Sequence, residues 1–246
     1  MKDYNIGTLN VRGIGNDDDK FALAEDADKY KIDILTLSET HIAEEECLYE
    51  IESDGKKSYV LYGCNDEGNH HHGVGFIIRK ELEPEFVRIT GRIAQATIQM
   101  TRRKMHIIAI YAPTLTNCEK DPTMRDDFYS QIEATIDKIP QRDLLFIAGD
   151  FNAKVGSLKH TDEHDCVGRY GKGERNSSGD MVVDLCTSRD LCITNTFFHH
   201  KLGHRTTWTA PMREFNCHDG TTKRNPVQNQ IDFVITRKQI KQLVSN

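Results

Sequence analysis

Five polar side chains stand where apolar segments end. Asn10 closes the run from Ile6, and Glu39 follows Ile34-Leu35-Thr36-Leu37-Ser38. Asp150 and Asn152 follow Leu144 to Gly149, and Asp232 lies inside Ile231 to Ile235. A carboxylate or amide at the end of a buried strand is costly to desolvate unless it is paired, hydrogen-bonded or bound to a cation. Five of them on four separate segments predict one shared site at a sheet edge, where strand ends fix side chains and loops admit a substrate. Tyr111 adds a phenol at the end of Ile107 to Ile110, before Ala112-Pro113. Oxygen donors such as Glu39 and Asp232 suit Mg²⁺ or Mn²⁺ rather than Zn²⁺. Carboxylate, amide and phenol around such an ion fit phosphodiester hydrolysis: a carboxylate aligns or deprotonates water while amides and Tyr hold the phosphate. No Ser-His-Asp spacing, Gly-rich phosphate loop or dinucleotide fingerprint competes with this reading.

The elements that must position these residues are short strands alternating with helices. Strands are predicted at Ile6–Val11, 32–37, Gly73–Ile78, Ala94–Met100, Ile107–Ile110, Leu144–Ala148 and Ile231–Ile235. The alternation of Ala94, Ala96, Ile98 and Met100 with polar neighbours is the period of a strand with one buried face. Pro122–Ile139 reads as a helix, with Asp121 as its N-cap, Pro122 at its first position and Met124, Phe128, Ile132, Ile136 and Ile139 on one face. Weaker helical patterns cover Lys20–Lys31 and Ser178–Asp190. Strand pairs without an intervening helix argue for an α/β sandwich with mixed sheets rather than an all-parallel fold.

With 246 residues and no Pro-, Gly- or Ser-rich linker, residues 1–246 read as one domain. The net charge of −6 argues against a passive nucleic-acid coat but leaves room for a basic rim around an acidic site. Seven cysteines without a Cys-x-x-Cys pair fit free thiols in a reducing compartment. No apolar stretch approaches a membrane span, so no membrane partner is expected. Asp17-Asp18-Asp19 reads as a solvated helix start, and His70-His71-His72 as an exposed loop. Trp208, the only Trp, reads as a core or edge aromatic, and Asn176 as either a phosphate contact or a turn residue.

Five motifs carry a resemblance: Leu9-Asn10-Val11-Arg12-Gly13, Asp33 to Thr40, Ile110-Tyr111-Ala112-Pro113, Gly149-Asp150-Phe151-Asn152 and Asn229 to Phe233. In order and spacing they resemble the endonuclease/exonuclease/phosphatase superfamily. Val167 to Asp184, with Asn195-Thr196-Phe197-Phe198 and Thr206-Thr207-Trp208-Thr209, is similar to a narrower group. That group comprises the endonuclease domains of non-long-terminal-repeat retrotransposons and the craniofacial development protein 2-like proteins. The resemblance implies a four-layer sandwich, two mixed β-sheets flanked by helices, and Mg²⁺-dependent nicking of DNA. It implies Glu39 as the main metal carboxylate with Asn10 beside it, Asp150 on the water, Asn152 and Tyr111 on the phosphate, and Asp232 orienting a histidine. It also implies an intracellular protein, nuclear if of the retrotransposon type.

Two departures qualify the resemblance. Arg12 stands where related repair nucleases often carry a carboxylate. Fourteen residues follow Asp232 and none is His, so the late strand with its histidine motif is expected to be missing, leaving one sheet a strand short with an unpaired edge. A rim of Arg102, Arg103, Lys104, Lys172, Arg175 and Arg205 is expected for a DNA substrate. A phosphatase or exonuclease of the same superfamily, and a catalytically impaired binding module, are the alternatives.

Overall fold

The computed structural model describes residues 3–55, 57–68, 71–121, 123–162, 165–210, 215–216, 222–223 and 227–245. The first sheet is built from β1 (Ile6–Asn10), β2 (Ile34–Ser38), β3 (Glu46–Glu52), β4 (Ser58–Cys64) and β5 (Val74–Arg79), in the spatial order β1-β2-β5-β4-β3. The second takes β6 (Glu85–Thr90), β7 (Ile93–Gln99), β8 (Lys104–Tyr111), β9 (Leu144–Asp150) and β10 (Leu191–Ile193). Two small antiparallel pairs come next in the chain, β11 (Trp208–Thr209) with β14 (Gln228–Asn229), and β12 (Phe215–Asn216) with β13 (Thr222–Lys223). β15 (Asp232–Arg237) then returns to the second sheet, ordered β10-β15-β9-β8-β7-β6. Both sheets are mixed: β1–β2 and β8–β9 are parallel, and the remaining pairs in each sheet are antiparallel.

Strand alternation sorts the side chains into layers. On β8, Met105, Ile107, Ala109 and Tyr111 face the first sheet and pack with Ile34, Tyr62, Val74, Phe76 and Ile78. Ile108 and Ile110 point the other way, onto the helices at Thr123–Asp137 and Ser177–Ser188. α1 (Asp17–Lys29) covers the outer face of the first sheet through Leu23, Ala24 and Ala27. α3 (Thr123–Asp137), which follows the short α2 (Leu115–Lys120), covers the second sheet together with α4 (Ser177–Ser188). The result is the four-layer sandwich of two mixed sheets flanked by helices. Burying both faces of each sheet is why β2 and β5 read as near-continuous apolar runs.

Helix boundaries follow local capping. Asn16 accepts from Asp19 N and opens α1 three residues before the apolar pattern begins, so the Asp17–Asp19 triplet is its acidic first turn. Asp121 Oδ1 accepts from Thr123 N (3.1 Å) and Oγ1 (2.8 Å) ahead of α3, while Pro122 lies outside the described residues. Phe128, Ile132, Ile136 and Ile139 are buried as their spacing predicts. Six cysteines are free thiols, Cys217 lying outside the described residues. Among the described residues no helix is long and apolar enough to cross a membrane. Among them, too, β1 pairs with β2 alone, and a groove of about 990 Å³ runs beside it, lined by Tyr4, Ile6, Thr8, Met105, Phe146 and Val234 among others.

Candidate active site

The register of the sheets assembles the site. In the second sheet Tyr111 lies opposite Asp150 and Asp150 opposite Asp232, so β8, β9 and β15 place a phenol and two carboxylates in one row. In the first sheet β1 and β2 run parallel with Asn10 opposite Ser38, so Asn10 and Glu39 emerge at the same end. Gly149 is what lets β9 lie so close to β8: a Cβ there would sit 2.0 Å from Ile110 O. The backbone N–H of Ala112 then donates to Asp150 O (2.9 Å), and Phe151 N to Ile231 O (2.9 Å), which tie down both sides of the strand end.

Side chains from the two sheets meet directly. Asn10 Nδ2 donates to Glu39 Oε1 (2.8 Å) and to Asp150 Oδ2 (3.2 Å), and Tyr111 Oη donates to the same Glu39 Oε1 (2.9 Å). Asn10 Oδ1 accepts from Arg12 N (3.2 Å). Asn152, with φ 46°, donates its N–H to Asp150 Oδ1 (2.8 Å) and its amide to Ala112 O (2.8 Å). Glu39 also has a left-handed backbone, φ 54°. It is held there by Gly13 N on Glu39 O (2.8 Å), Ile14 N on Thr40 O (3.0 Å), Thr40 N on Gly73 O (3.2 Å) and His41 N on His72 O (2.8 Å). Such conformations persist only when their surroundings over-determine them, and they gather at functional sites.

The electrostatics show crowded negative charge. Burial raises the carboxyl pKa of Asp150 above the ordinary range, Glu39's charge adds to the rise, and the bonds from Asn152 N–H and Asn10 oppose it. Asp232 is raised by burial first, then by the charges of Asp150 and Glu39, with a bond to Thr207 opposing. Burial and the neighbouring Glu39 likewise push the Tyr111 phenol far up, so it is a donor at neutral pH. Asp232 Oδ1 is buried with no hydrogen-bond partner among the described residues. No group of three or more His, Cys, Asp or Glu side chains converges as a metal cage among those residues. Magnesium needs no such cage, since it commonly takes one or two carboxylates and fills its shell with water and phosphate. The charge gathered around Glu39, Asp150 and Asp232, with an unpartnered carboxylate oxygen, is what a hard cation and its water would relieve.

Five of the six predicted residues, Asn10, Glu39, Tyr111, Asp150 and Asn152, line one cleft of about 410 Å³. Asp232 sits next to Asp150 but lines the adjoining groove beside β1, to which Asn10 and Asp150 also contribute. Several expectations need correction. Arg175 is not on the rim: its guanidinium is buried against Asp162 (2.6 Å to each oxygen) and braces the loop ahead of α4. The cations that line the cleft are Arg12 and Lys154. Lys154 was missed, although it lies only two residues beyond Asn152. Of the two places expected for Trp208, core or edge, it takes the edge, as a half-buried wall of the same cleft. Asn176 caps α4, accepting from Gly179 N (2.9 Å) and Lys154 N (3.0 Å), and also lines the cleft. His72 turns inward, away from an exposed-loop role, and its Nδ1 meets Arg92 Nη2 (3.2 Å). His199 packs edge-on against Tyr170.

Fold and site together define a four-layer α/β sandwich whose two sheets open, at one end, into a cleft of carboxylates, amides and a phenol. The chain belongs to the endonuclease/exonuclease/phosphatase family, whose model matches residues 7–241. It is 29% identical over 240 residues to craniofacial development protein 2 of Tragulus javanicus, which covers 96% of this chain but only 38% of that protein. The chain therefore spans well under half the length of that curated relative. Among solved structures it is similar to the endonuclease domain of TRAS1, a telomere-specific non-LTR retrotransposon (TM-score 0.59, 12% identity, 99% of this chain and 90% of that one). It is also similar to the 3′ phosphatase NExo from Neisseria bound to a product DNA hairpin (TM-score 0.55, 14% identity, 96% and 88%). At these identities the likeness is one of fold.

Proposed function

We propose that this chain is a Mg²⁺-dependent phosphodiesterase that nicks DNA as an endonuclease of the retrotransposon type. The observation that carries the reading is the Asn10 amide, which bonds to Glu39 of one sheet and Asp150 of the other and so makes their strand ends a single site. Glu39 and Asn10 would hold the cation, Mg²⁺ or Mn²⁺, which when bound neutralises charge on a phosphate oxygen. Tyr111 and Asn10 fix Glu39 by hydrogen bonds to its Oε1. Asp150, with its raised pKa, is suited to accept a proton from an attacking water. Asn152, locked by its bonds to Asp150 and Ala112, presents its side chain at the cleft to a phosphate. Arg12 and Lys154 supply positive charge for a polyanion, and Trp208 an aromatic wall, which support a nucleic acid over a small phosphoester.

A second reading, a DNA-binding module of low turnover, is favoured by the buried Asp232 Oδ1 without a partner among the described residues. Loss of one acid–base or electrostatic group costs on the order of 10²- to 10⁴-fold in rate. Relaxation of supercoiled plasmid in Mg²⁺ separates the two. The enzyme reading expects slow conversion to open circles, abolished by Glu39→Ala and by Asp150→Ala. Equal conversion by those variants overturns it, and DNA binding with no conversion by any form selects the module.

A further inference from the structure

We propose that Arg92 is a positioning residue that holds the Tyr111 phenol against Glu39, by gripping both the strand that carries Tyr111 and, through His72, the neighbouring loop that braces the turn after Glu39. The proposal rests on the reading of the cleft given above and adds to it a residue outside the cleft lining. Arg92 lies in the turn between β6 and β7, and that turn is itself anchored. Gly91 N donates to Asp66 Oδ1 (2.7 Å), and a Cβ at Gly91 would lie 2.3 Å from Asp66 N. Arg92 N donates to Thr90 Oγ1 (3.2 Å), and Arg92 O accepts from Tyr111 N (3.0 Å).

From this base the guanidinium reaches two ways. Toward the second sheet, Nη1 donates to Tyr111 O (3.3 Å), and the guanidinium carbon stands 5.1 Å from the centroid of the Tyr111 ring, within cation–π range. Toward the first sheet, Nη2 meets His72 Nδ1 at 3.2 Å. Burial and the neighbouring cation bring the His72 imidazole down to about 4, so at neutral pH it is uncharged and can accept that bond. His72 O in turn receives His41 N (2.8 Å), and Gly73 O receives Thr40 N (3.2 Å), the bonds that shape the turn after Glu39. That turn is strained, with Glu39 at φ 54° and His41 at φ 53°, and depends on such supports. One planar cation therefore ties the strand that donates the Tyr111–Glu39 hydrogen bond (2.9 Å) to the loop that braces its acceptor, with no hydrogen bond to Glu39 itself among the described residues. A planar fork that bonds two ways while stacking on a ring is a task for Arg that Lys performs only in part.

The test has one arm that needs no catalysis. With ¹³C at Cζ of the eight tyrosines, the Tyr111 resonance is the one lost in Tyr111→Phe. In Arg92→Met that resonance is expected to move in the direction set by Glu39→Ala and at least half as far, with Arg92→Lys moving it less. An unmoved resonance in Arg92→Met overturns the proposal. If Arg92→Met does not fold, Arg92→Lys carries the same readout, and an unmoved line there overturns it equally. The second arm is plasmid nicking. Arg92→Met is expected to lower kcat about 10-fold with KM within about twofold, and to cost less than about twofold once Tyr111 is already Phe. An equal loss in both backgrounds means that Arg92 does not act through Tyr111, and overturns the proposal while leaving the nicking reading intact. A moved resonance with no nicking by any form does the reverse.

Discussion

Asp232 offers the sharpest energetic test, because the chain pays for an acid it does not neutralise. Burial, then the charges of Asp150 and Glu39, raise its carboxyl from 3.8 to about 7. At about 1.36 kcal/mol per pH unit that displacement corresponds to about 4 kcal/mol of cost to the ionised form. The folded protein holds this proton more tightly than the unfolded chain does. Stability therefore falls as pH rises from about 4 through about 7, and the cost is complete above that range. Asp232→Asn removes the charge, while its amide N–H, if left without an acceptor, costs about 1–2 kcal/mol. The net expectation is a gain of about 2 kcal/mol at pH 8, or about 5 °C in Tm for a chain of this length. At pH 4, where Asp232 is protonated in the folded wild type, the gain should vanish and the unpartnered amide should leave the variant about 1 kcal/mol less stable. Thermal unfolding of both proteins in EDTA, followed by circular dichroism across pH 4–8, measures it. A variant less stable than wild type at pH 8, or a gap that does not change with pH, would mean that Asp232 imposes no such charge cost on the fold.

Two further substitutions probe the frame around the site. Gly149→Ala places a methyl 2.0 Å from Ile110 O between parallel strands; a loss of about 3 kcal/mol is expected by urea unfolding, and a neutral result would mean the two strands separate easily. Arg175→Ala leaves the buried Asp162 carboxylate without its bidentate partner. It should cost about 3 kcal/mol, most of it recovered by also changing Asp162→Leu; no recovery in the double variant would place the loss elsewhere.

The part of this architecture legible in the sequence is the part encoded locally. β2 and β9 are apolar runs that end in acids, and α3 carries its apolar face at helical spacing, so their elements and terminal side chains could be read together. β3 and β6 escaped because their charged positions, Glu46, Glu50, Glu52 and Glu85, alternate on exposed edge strands and dilute the apolar signal. Long-range pairings escaped for a different reason. Nothing near Arg175 announces that Asp162 will fold back over it, and nothing near His72 announces Arg92. A polar residue in a loop looks solvated until the fold supplies its partner. Trp208 illustrates the same limit: its β11–β14 pairing, set by residues twenty positions away, turns it toward the cleft.

The proposed function requires that the ends of two different sheets form one cation-dependent phosphate site. Mn²⁺ binding, followed by loss of the free-ion paramagnetic resonance signal, tests it most directly. Wild type should bind the ion, Glu39→Gln should weaken binding by about 10-fold or more, and Asp150→Asn should weaken it about threefold through lost charge from the opposite sheet. Unchanged affinity in Glu39→Gln would mean that Glu39 does not hold the ion and would overturn the shared cation site.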